Sequence, residues 1–321
     1  MKKPKKIYLS VSLIITILLG IILFNKYLDL SSDGIKWKNN LEVDMYNIYY
    51  VIDIQDHLGE LDDALIKKVN KNLKDKSLGD ITNERLLGSL PSLWFYVKLT
   101  ENSESLDIHK QESARFVRNL QQDDGLFILE NSYVQDNKDF TVLDKLFPTK
   151  MSIDILQKYG EKIPKIKTLL NVVNNELDHR LNSVNNIRLD EETLLVLQIL
   201  HKLDPQSEMM KKAKSIISIQ TIQEKINNNL TNPIIVKDLI EIADILDLNV
   251  KFDSNLLKEI ERSFNDLQLK NGAFPFPASN EPNLLSTHSA VIVMTTLDIE
   301  VKRKKELLEY TRDIAKNSFI N

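Results

Sequence analysis

Tyr46, Tyr49 and Tyr50 lie within about one helical turn of each other, with Asp53 one turn further on. Trp94, Phe95 and Tyr96 form a second aromatic group. Rings that line a cavity offer broad apolar faces edged by hydroxyl or indole groups, and one carboxylate beside them fixes an orientation. Such a wall can hold an isoprenoid chain, a peptide or the face of a sugar; the same residues also serve as plain core packing. The five His are His57, His109, His179, His201 and His288, and none has the spacing of a metalloprotease helix. With no Cys in the chain, disulfides, thiolate zinc sites and Cys nucleophiles are excluded. No metal or cofactor is therefore expected. His57, His109, His179 and His201 fall at or near the ends of expected helices, where an exposed His is unremarkable. His288 alone stands in the first turn of a buried helix at the loop rim, where a structural role is weighed ahead of a catalytic one. Asp123 and Asp124 belong to a turn, where Asp is a usual turn former. Asp190-Glu191-Glu192 reads as a helix N-terminus. Asp53 and Asp154 are acids without an assigned partner. No Ser-His-Asp arrangement, phosphate-binding loop or dinucleotide fingerprint is present.

The elements that must position these residues are helices. From Val43 to Asn321 no stretch alternates with period two, and helical windows come in pairs. The more apolar partners are Met45–His57, Gly88–Leu99, Thr149–Tyr159, Asp190–Lys202, Ile234–Leu246 and Ser286–Leu297. The amphipathic partners are Leu61–Lys76, Asp107–Gln121, Lys162–Leu181, Gln206–Gln223, Ser254–Leu269 and Val301–Lys316. After Pro164, for example, Ile166, Leu169, Leu170, Val173 and Leu177 make one stripe, with Lys and Asn opposite. The centres of the apolar partners, from Val51 to Val291, are 43 to 59 residues apart. Repeats of that length, each burying one face on a neighbour, build solenoids or closed rings.

Two stretches share a finer signature. Leu120–Leu156 and Leu267–Leu297 both read Leu-Gln-x-x-[Asp/Asn]-Gly-x-Phe, then a polar loop, then an apolar helix that opens near a Thr. Asp124-Gly125 and Asn271-Gly272 suit a left-handed stop after a helix. Phe274 and Phe276 straddle Pro275, which keeps the chain extended there. Ser286 is the expected N-cap of the last apolar helix. The pattern resembles the repeats of the prenyltransferase β-subunit and terpene (squalene/hopene) cyclase superfamily, which read roughly Gln-x-x-[Asp/Asn]-Gly-Gly-Phe. Gln121, Asp124, Gly125 and Phe127 match in one copy; Gln268, Asn271, Gly272, Phe274, Thr287 and Ala290 match in the other. The second Gly is replaced by Leu126 and Ala273. The resemblance, direct over about a quarter of the chain, implies an all-α fold: an (α/α)6-type toroid of about six hairpins, apolar helices inside and amphipathic ones outside. The chemistry of those families does not carry over. Their zinc is held by Asp, Cys and His, and this chain has no Cys. Their Asp-x-Asp-Asp acid motif has no counterpart at Leu61-Asp62-Asp63 or Gln122-Asp123-Asp124.

The N-terminus reads separately. Residues 1–6, MKKPKK, are a basic tail, and Ile7–Phe24 is an uncharged run of eighteen residues, long enough to span a bilayer. The Lys cluster places the tail in the cytoplasm and the remainder outside. No A-x-A-like cleavage site follows Phe24, which favours an uncleaved single-pass anchor at residues 7–24 over a signal peptide. Residues 25–42 are a stalk, and residues 43–321 an extracytoplasmic domain. The 42 Lys and Arg fall to 37 without the five Lys of residues 1–26, against 46 Asp and Glu, a net charge of −9. An acidic domain lacks the cations that neutralise phosphates, so no nucleic-acid partner is expected.

Both Gly-turn loops, Leu126–Lys145 and Pro275–Leu285, precede an expected inner helix and so would open on one rim, where free helix N–H groups favour an anionic or polar group. The candidate ligand-binding residues are therefore Asp123, Asp124, Phe127, Asn271, Phe274, Thr287 and His288 at that rim, with Tyr49, Tyr50, Asp53 and Trp94 as the wall below it. The expected function is binding of a ligand (peptide, glycan or isoprenoid) or a protein partner at the ring mouth, by a protein anchored in the membrane through residues 7–24. The alternative is an (α/α)6 glycan hydrolase or lyase, which needs two carboxylates about 5–10 Å apart in one cavity.

Overall fold

The structure, a computed structural model, describes residues 44–74, 76–82, 89–101, 109–129, 140–182, 187–248 and 252–319. All belong to the second of the chain's two compact units, Leu41–Asn321. The expected tail, anchor and stalk, residues 1–42, lie outside the described residues. Among the described residues no helix is long and apolar enough to cross a membrane. The described chain is all-α, without a strand; isolated bridges join Gln121 to Phe127 and Pro275 to Pro282.

Six helices correspond to the apolar set: α1 (Met45–His57), α4 (Ser89–Leu99), α6 (Val142–Lys158), α8 (Glu191–Leu203), α11 (Pro233–Ile245) and α13 (Leu284–Thr296). Between them run α2 (Asp63–Leu73), α3 (Leu78–Thr82), α5 (Lys110–Asn119), α7 (Ile166–Leu181), α9 (Glu208–Ile216), α10 (Ile219–Asn227), α12 (Ser254–Leu267) and α14 (Lys304–Asn317). α1 packs on α4, α4 on α6, α6 on α8, α8 on α11, α11 on α13, and α13 back on α1. Other helices pack on members of this set: α3 on α4, α5 on α6, α7 on α8, α10 on α11 and α14 on α1. The two sets bury different amounts of themselves. α12 buries only Leu256, Ile260 and Phe264, one stripe four residues apart, while α13 buries Leu284 and the whole run Ser286–Val291.

Four of the six apolar helices end alike. After α1, α6, α11 and α13 one residue takes positive φ: Gly59, Gly160, Asp247 and Asp298. The next N–H then returns to a carbonyl five residues back (Glu60 to Gln55, Glu161 to Leu156, Leu248 to Ala243, Ile299 to Met294, 2.8–3.0 Å). This is the Schellman closure, which satisfies carbonyls that the helix end leaves open.

The two Gly turns are copies down to single hydrogen bonds. Gln121 Nε2 donates to the Gly125 carbonyl and Gln268 Nε2 to the Gly272 carbonyl, both at 2.9 Å. Asp124 Oδ1 accepts from the Leu126 N–H, and Asn271 Oδ1 from the Ala273 N–H. Thr149 Oγ1 accepts from the Phe127 N–H and Thr287 Oγ1 from the Phe274 N–H, both at 2.9 Å. The Thr hydroxyl thus staples each turn to the helix that follows it, and Phe127, Phe274, Thr149 and Thr287 are all fully buried. Thr287→Val keeps the volume but strands a buried N–H. It is expected to cost about 1–3 kcal/mol, read as a lower urea midpoint at unchanged slope. An unchanged midpoint would show that the staple contributes nothing.

Several expected boundaries are corrected. α13 begins at Leu284 and is capped by Asn283, whose Oδ1 accepts from the Ser286 N–H at 2.9 Å; Ser286 lies inside the helix. α6 begins at Val142 rather than Thr149, so the loop before it ends at Thr141. Thr141 and Asp144 form a reciprocal capping box, and this independent start carries the helix through Pro148. The expected outer helix Gln206–Gln223 is two helices. Ile217 is extended, and Ser218 caps α10 by accepting from the Thr221 N–H. A Ser offering its oxygen to a backbone N–H competes with helix continuation.

Candidate functional site

α1 presents Tyr46, Tyr49, Tyr50, Asp53 and His57 along one face, while Met45, Ile48, Val51, Ile54 and Gln55 are buried on the other. The first stripe meets α4 on one side and α13 on the other. Tyr46 lies edge-on to Phe95 with ring centroids 5.5 Å apart, and Tyr49 to Trp94 at the same distance. Tyr50 meets the His288 ring at 4.8 Å. His288 Nε2 lies 2.5 Å from Asp53 Oδ2, which joins the last apolar helix to the first.

The polar chain continues round the other helices. Trp94 Nε1 on α4 donates to Asp154 Oδ2 on α6 at 2.9 Å. Asp154, with a side chain only 4% exposed, also accepts from Lys202 on α8 and pairs with Lys150 at 3.0 Å. Lys150 Nζ stands 4.8 Å from the Trp94 ring centre and Lys98 Nζ 5.8 Å, cations within reach of the ring face. Gln198 Nε2 on α8 donates to Glu241 on α11, and Lys237 Nζ bridges Asp238 and Glu241 at 3.2 Å each. These groups act on one another across the cluster. Burial raises the Tyr49 and Tyr50 hydroxyls, and the charges of Asp53, Asp154, Glu101 and Glu241 add to this at Tyr49, as those of Asp53 and Glu191 do at Tyr50.

Burial sets the protonation. Desolvation alone would raise Asp53, but the hydrogen bond it accepts from His288 and the nearby charges of His57 and Lys98 outweigh it and hold the carboxyl below its usual range. Desolvation pushes His288 below its ordinary value despite the pull of Asp53. A carboxylate facing a neutral imidazole accepts a hydrogen bond, so the ring carries its proton on Nε2. Nδ1, buried and without a hydrogen-bond partner among the described residues, bears the lone pair. Asp154 is kept ionised against its burial by Lys150, Lys202 and Trp94, while burial pulls Lys150 down. Desolvation pushes Glu191 up, with Asp238 and Glu192 adding repulsion; Asp238 is itself raised by burial against the pull of Lys237.

Since folded His288 resists protonation, the unfolded chain takes up that proton first as pH falls. Its contribution to stability is full above the usual His value of 6.5 and declines as pH drops through it. The urea midpoint is expected to fall from about pH 7.5 to 5 more in the wild type than in His288→Gln. Equal slopes would remove His288 from the account.

The structure brings Tyr49, Tyr50, Asp53, Trp94 and His288 together. The loop candidates have other employment. Phe127 and Phe274 are fully buried in the turns, Thr287 is buried on α13 and accepts from the Phe274 N–H, and Asn271 and Asp124 hold turn N–H groups. Asp124 also pairs with Lys145, and the exposed Asp123 with Lys165, each at 2.7 Å. Lys150, Gln198, Lys202, Lys237 and Glu241 join the cluster without having been foreseen. A local signal existed: Lys150–Asp154 and Lys237–Glu241 are charge pairs four residues apart on otherwise apolar helices. Among the described residues no group of His, Asp and Glu could hold a metal ion. The chain matches no protein-family model, no curated protein and no solved structure.

Proposed function

We propose that the chain is a membrane-anchored, extracytoplasmic (α/α)6 toroid that binds a ligand in its lumen, without the zinc or Asp-x-Asp-Asp chemistry of the superfamily its turns resemble. The cyclic packing of six apolar helices, the repeated helix ends and the two stapled Gly turns support the ring. Residues 7–24 supply the anchor by their length and lack of charge. One observation carries the binding reading. Polar and aromatic side chains from all six of these helices converge, and several stay partly open to solvent: Asp53 at 29%, Lys237 at 21% and Glu241 at 36%. A core built for stability alone would exclude such groups. The lumen wall replaces the Gly-turn rim as the binding surface.

The test is a thermal-shift screen of the full chain against glycans, peptides and isoprenoids, followed by Tyr49→Ala and His288→Ala with Lys258→Ala as the surface control. Hits weakened by the first two alone support the lumen. Hits weakened by none of the three place binding elsewhere. A second reading is favoured by one feature: Asp53 is held ionised while Glu191 is pushed toward its neutral form, the division of labour of a glycosidase pair. Release of reducing ends, abolished in Glu191→Gln and Asp53→Asn, would establish it; bound glycan left intact on long incubation would exclude it.

A further inference from the structure

The cluster is slightly acidic: Lys98, Lys150, Lys202 and Lys237 face Asp53, Glu101, Asp154, Asp238 and Glu241. Lys150 and Lys202 share Asp154, Lys237 lies between Asp238 and Glu241, and Lys98 reaches Glu101 at 3.7 Å. An anionic ligand such as a diphosphate is held by cations whose charge is available to it. Here every lysine it met already faces a carboxylate, and the carboxylates around it outnumber the lysines. A hydrocarbon chain fares no better, because the surface it would cover carries ionised groups whose contact with water it would remove. A ligand of hydroxyl groups meets neither obstacle. Each hydroxyl can donate to a carboxylate and accept from a lysine, an amide or a tyrosine. Asp53 binds His288 through Oδ2, and its Oδ1 accepts no hydrogen bond among the described residues. The flat C–H faces of a sugar suit the partly exposed rings of Tyr46, Tyr49 and Tyr50, of which Tyr49 and Tyr50 lie nearest that carboxylate.

Resting on the lumen as the binding site, we infer that its ligand is an uncharged carbohydrate, seated against the Tyr46–Tyr49–Tyr50 face with hydroxyls on Asp53 and Glu241. Neutral saccharides bind in preference to sialylated, sulfated or phosphorylated ones, and in preference to isoprenyl diphosphates.

The experiment uses the full chain in a sugar-free detergent such as lauryldimethylamine oxide. It is applied to an array of neutral and anionic glycans, and hits are repeated by calorimetry with the same oligosaccharide free in solution. Farnesyl diphosphate and a neutral peptide are titrated alongside. A neutral glycan should bind in both formats, with affinity about tenfold or more weaker in Tyr49→Ala and Asp53→Asn and unchanged in Lys258→Ala. Asp53→Asn preserves shape, and a melting curve checks each variant for folding. Binding confined to anionic glycans, farnesyl diphosphate or the peptide, weakened by the same variants, overturns the carbohydrate and leaves the lumen as a binding site. Binding unaffected by either variant, or no binding by any probe to the folded protein, overturns both.

Discussion

Gly272→Ala is expected to destabilise the protein by about 3–5 kcal/mol, a large share of the roughly 5–15 kcal/mol that holds a typical protein folded. Two terms add. Gly272 has φ of +80°, where a side chain costs about 1–2 kcal/mol. A Cβ there would also stand 2.3 Å from the Leu307 nitrogen and 2.7 Å from the Arg303 carbonyl oxygen. Both are backbone atoms at the start of α14, so no rotamer change relieves the overlap; the turn and the helix must part. Gly125 repeats the situation, its Cβ falling 2.5 Å from the Leu169 nitrogen of α7. Gly160 separates the two terms, because its φ is +66° and nothing lies within 4 Å of its Cβ. Gly160→Ala should therefore cost about 1–2 kcal/mol. Urea unfolding of the three variants decides: equal losses at Gly160 and Gly272 would mean that the close approach of turn and helix is absent.

The same two turns mark where the sequence can be read and where it cannot. Gln-x-x-[Asp/Asn]-Gly-x-Phe announces a helix stop and a turn, because Gly and Asn tolerate positive φ and the spacing is local. The purpose of the turn is not local. The Thr hydroxyl that receives the Phe N–H lies 22 residues away in one copy and 13 in the other. Asp124, Phe127, Asn271, Phe274 and Thr287 could be read as a ligand rim until those partners were visible. The helices themselves are legible from their period, and the apolar six stand out because a helix buried on most sides lacks a polar face. Their repetition was harder to see. The shared Schellman end uses Gly at 59 and 160 but Asp at 247 and 298, so no single residue type flags it. Breaks also depend on small competitors, as Ser218 shows by capping α10 where the apolar stripe would have run on.

The charged cluster was half legible. Pairs such as Lys150–Asp154 are one turn apart and stand out on an apolar helix. The bonds that make them a site join Trp94 to Asp154 and Gln198 to Glu241, 60 and 43 residues apart. Those bonds exist only when neighbouring helices share one axial register. A shift of a single turn, about 5.4 Å, would break them all, and the helical pattern of each segment alone would be unchanged.

Asp154 ties α6 to both α4 and α8, and its removal is the second change expected to be severe. Asp154→Ala leaves Lys150 buried without its counterion and Trp94 Nε1 without its acceptor; the expected loss is about 3–5 kcal/mol. Lys150→Met is milder, about 1–2 kcal/mol, because Asp154 keeps Lys202 and the indole. Lys202 is the more exposed lysine, at 34%, and can turn its head to water when Asp154 goes. The double variant Asp154→Leu with Lys150→Met should therefore recover most of the loss, since apolar residues of similar volume can replace a buried ion pair at little cost. The pH dependence has a definite sign. Lys150, Lys202 and Trp94 hold folded Asp154 below its ordinary value of 3.8. The stability it contributes is complete above 3.8 and is lost as pH falls through the lower, folded value. The gap between wild type and Asp154→Ala should thus be widest near neutrality and shrink below about pH 4. Urea unfolding at both pH values, on the two single variants and the double, tests the whole account. A gap that stays constant into acid, or a double variant no better than Asp154→Ala, would mean that Asp154 acts through its shape and not through its charge.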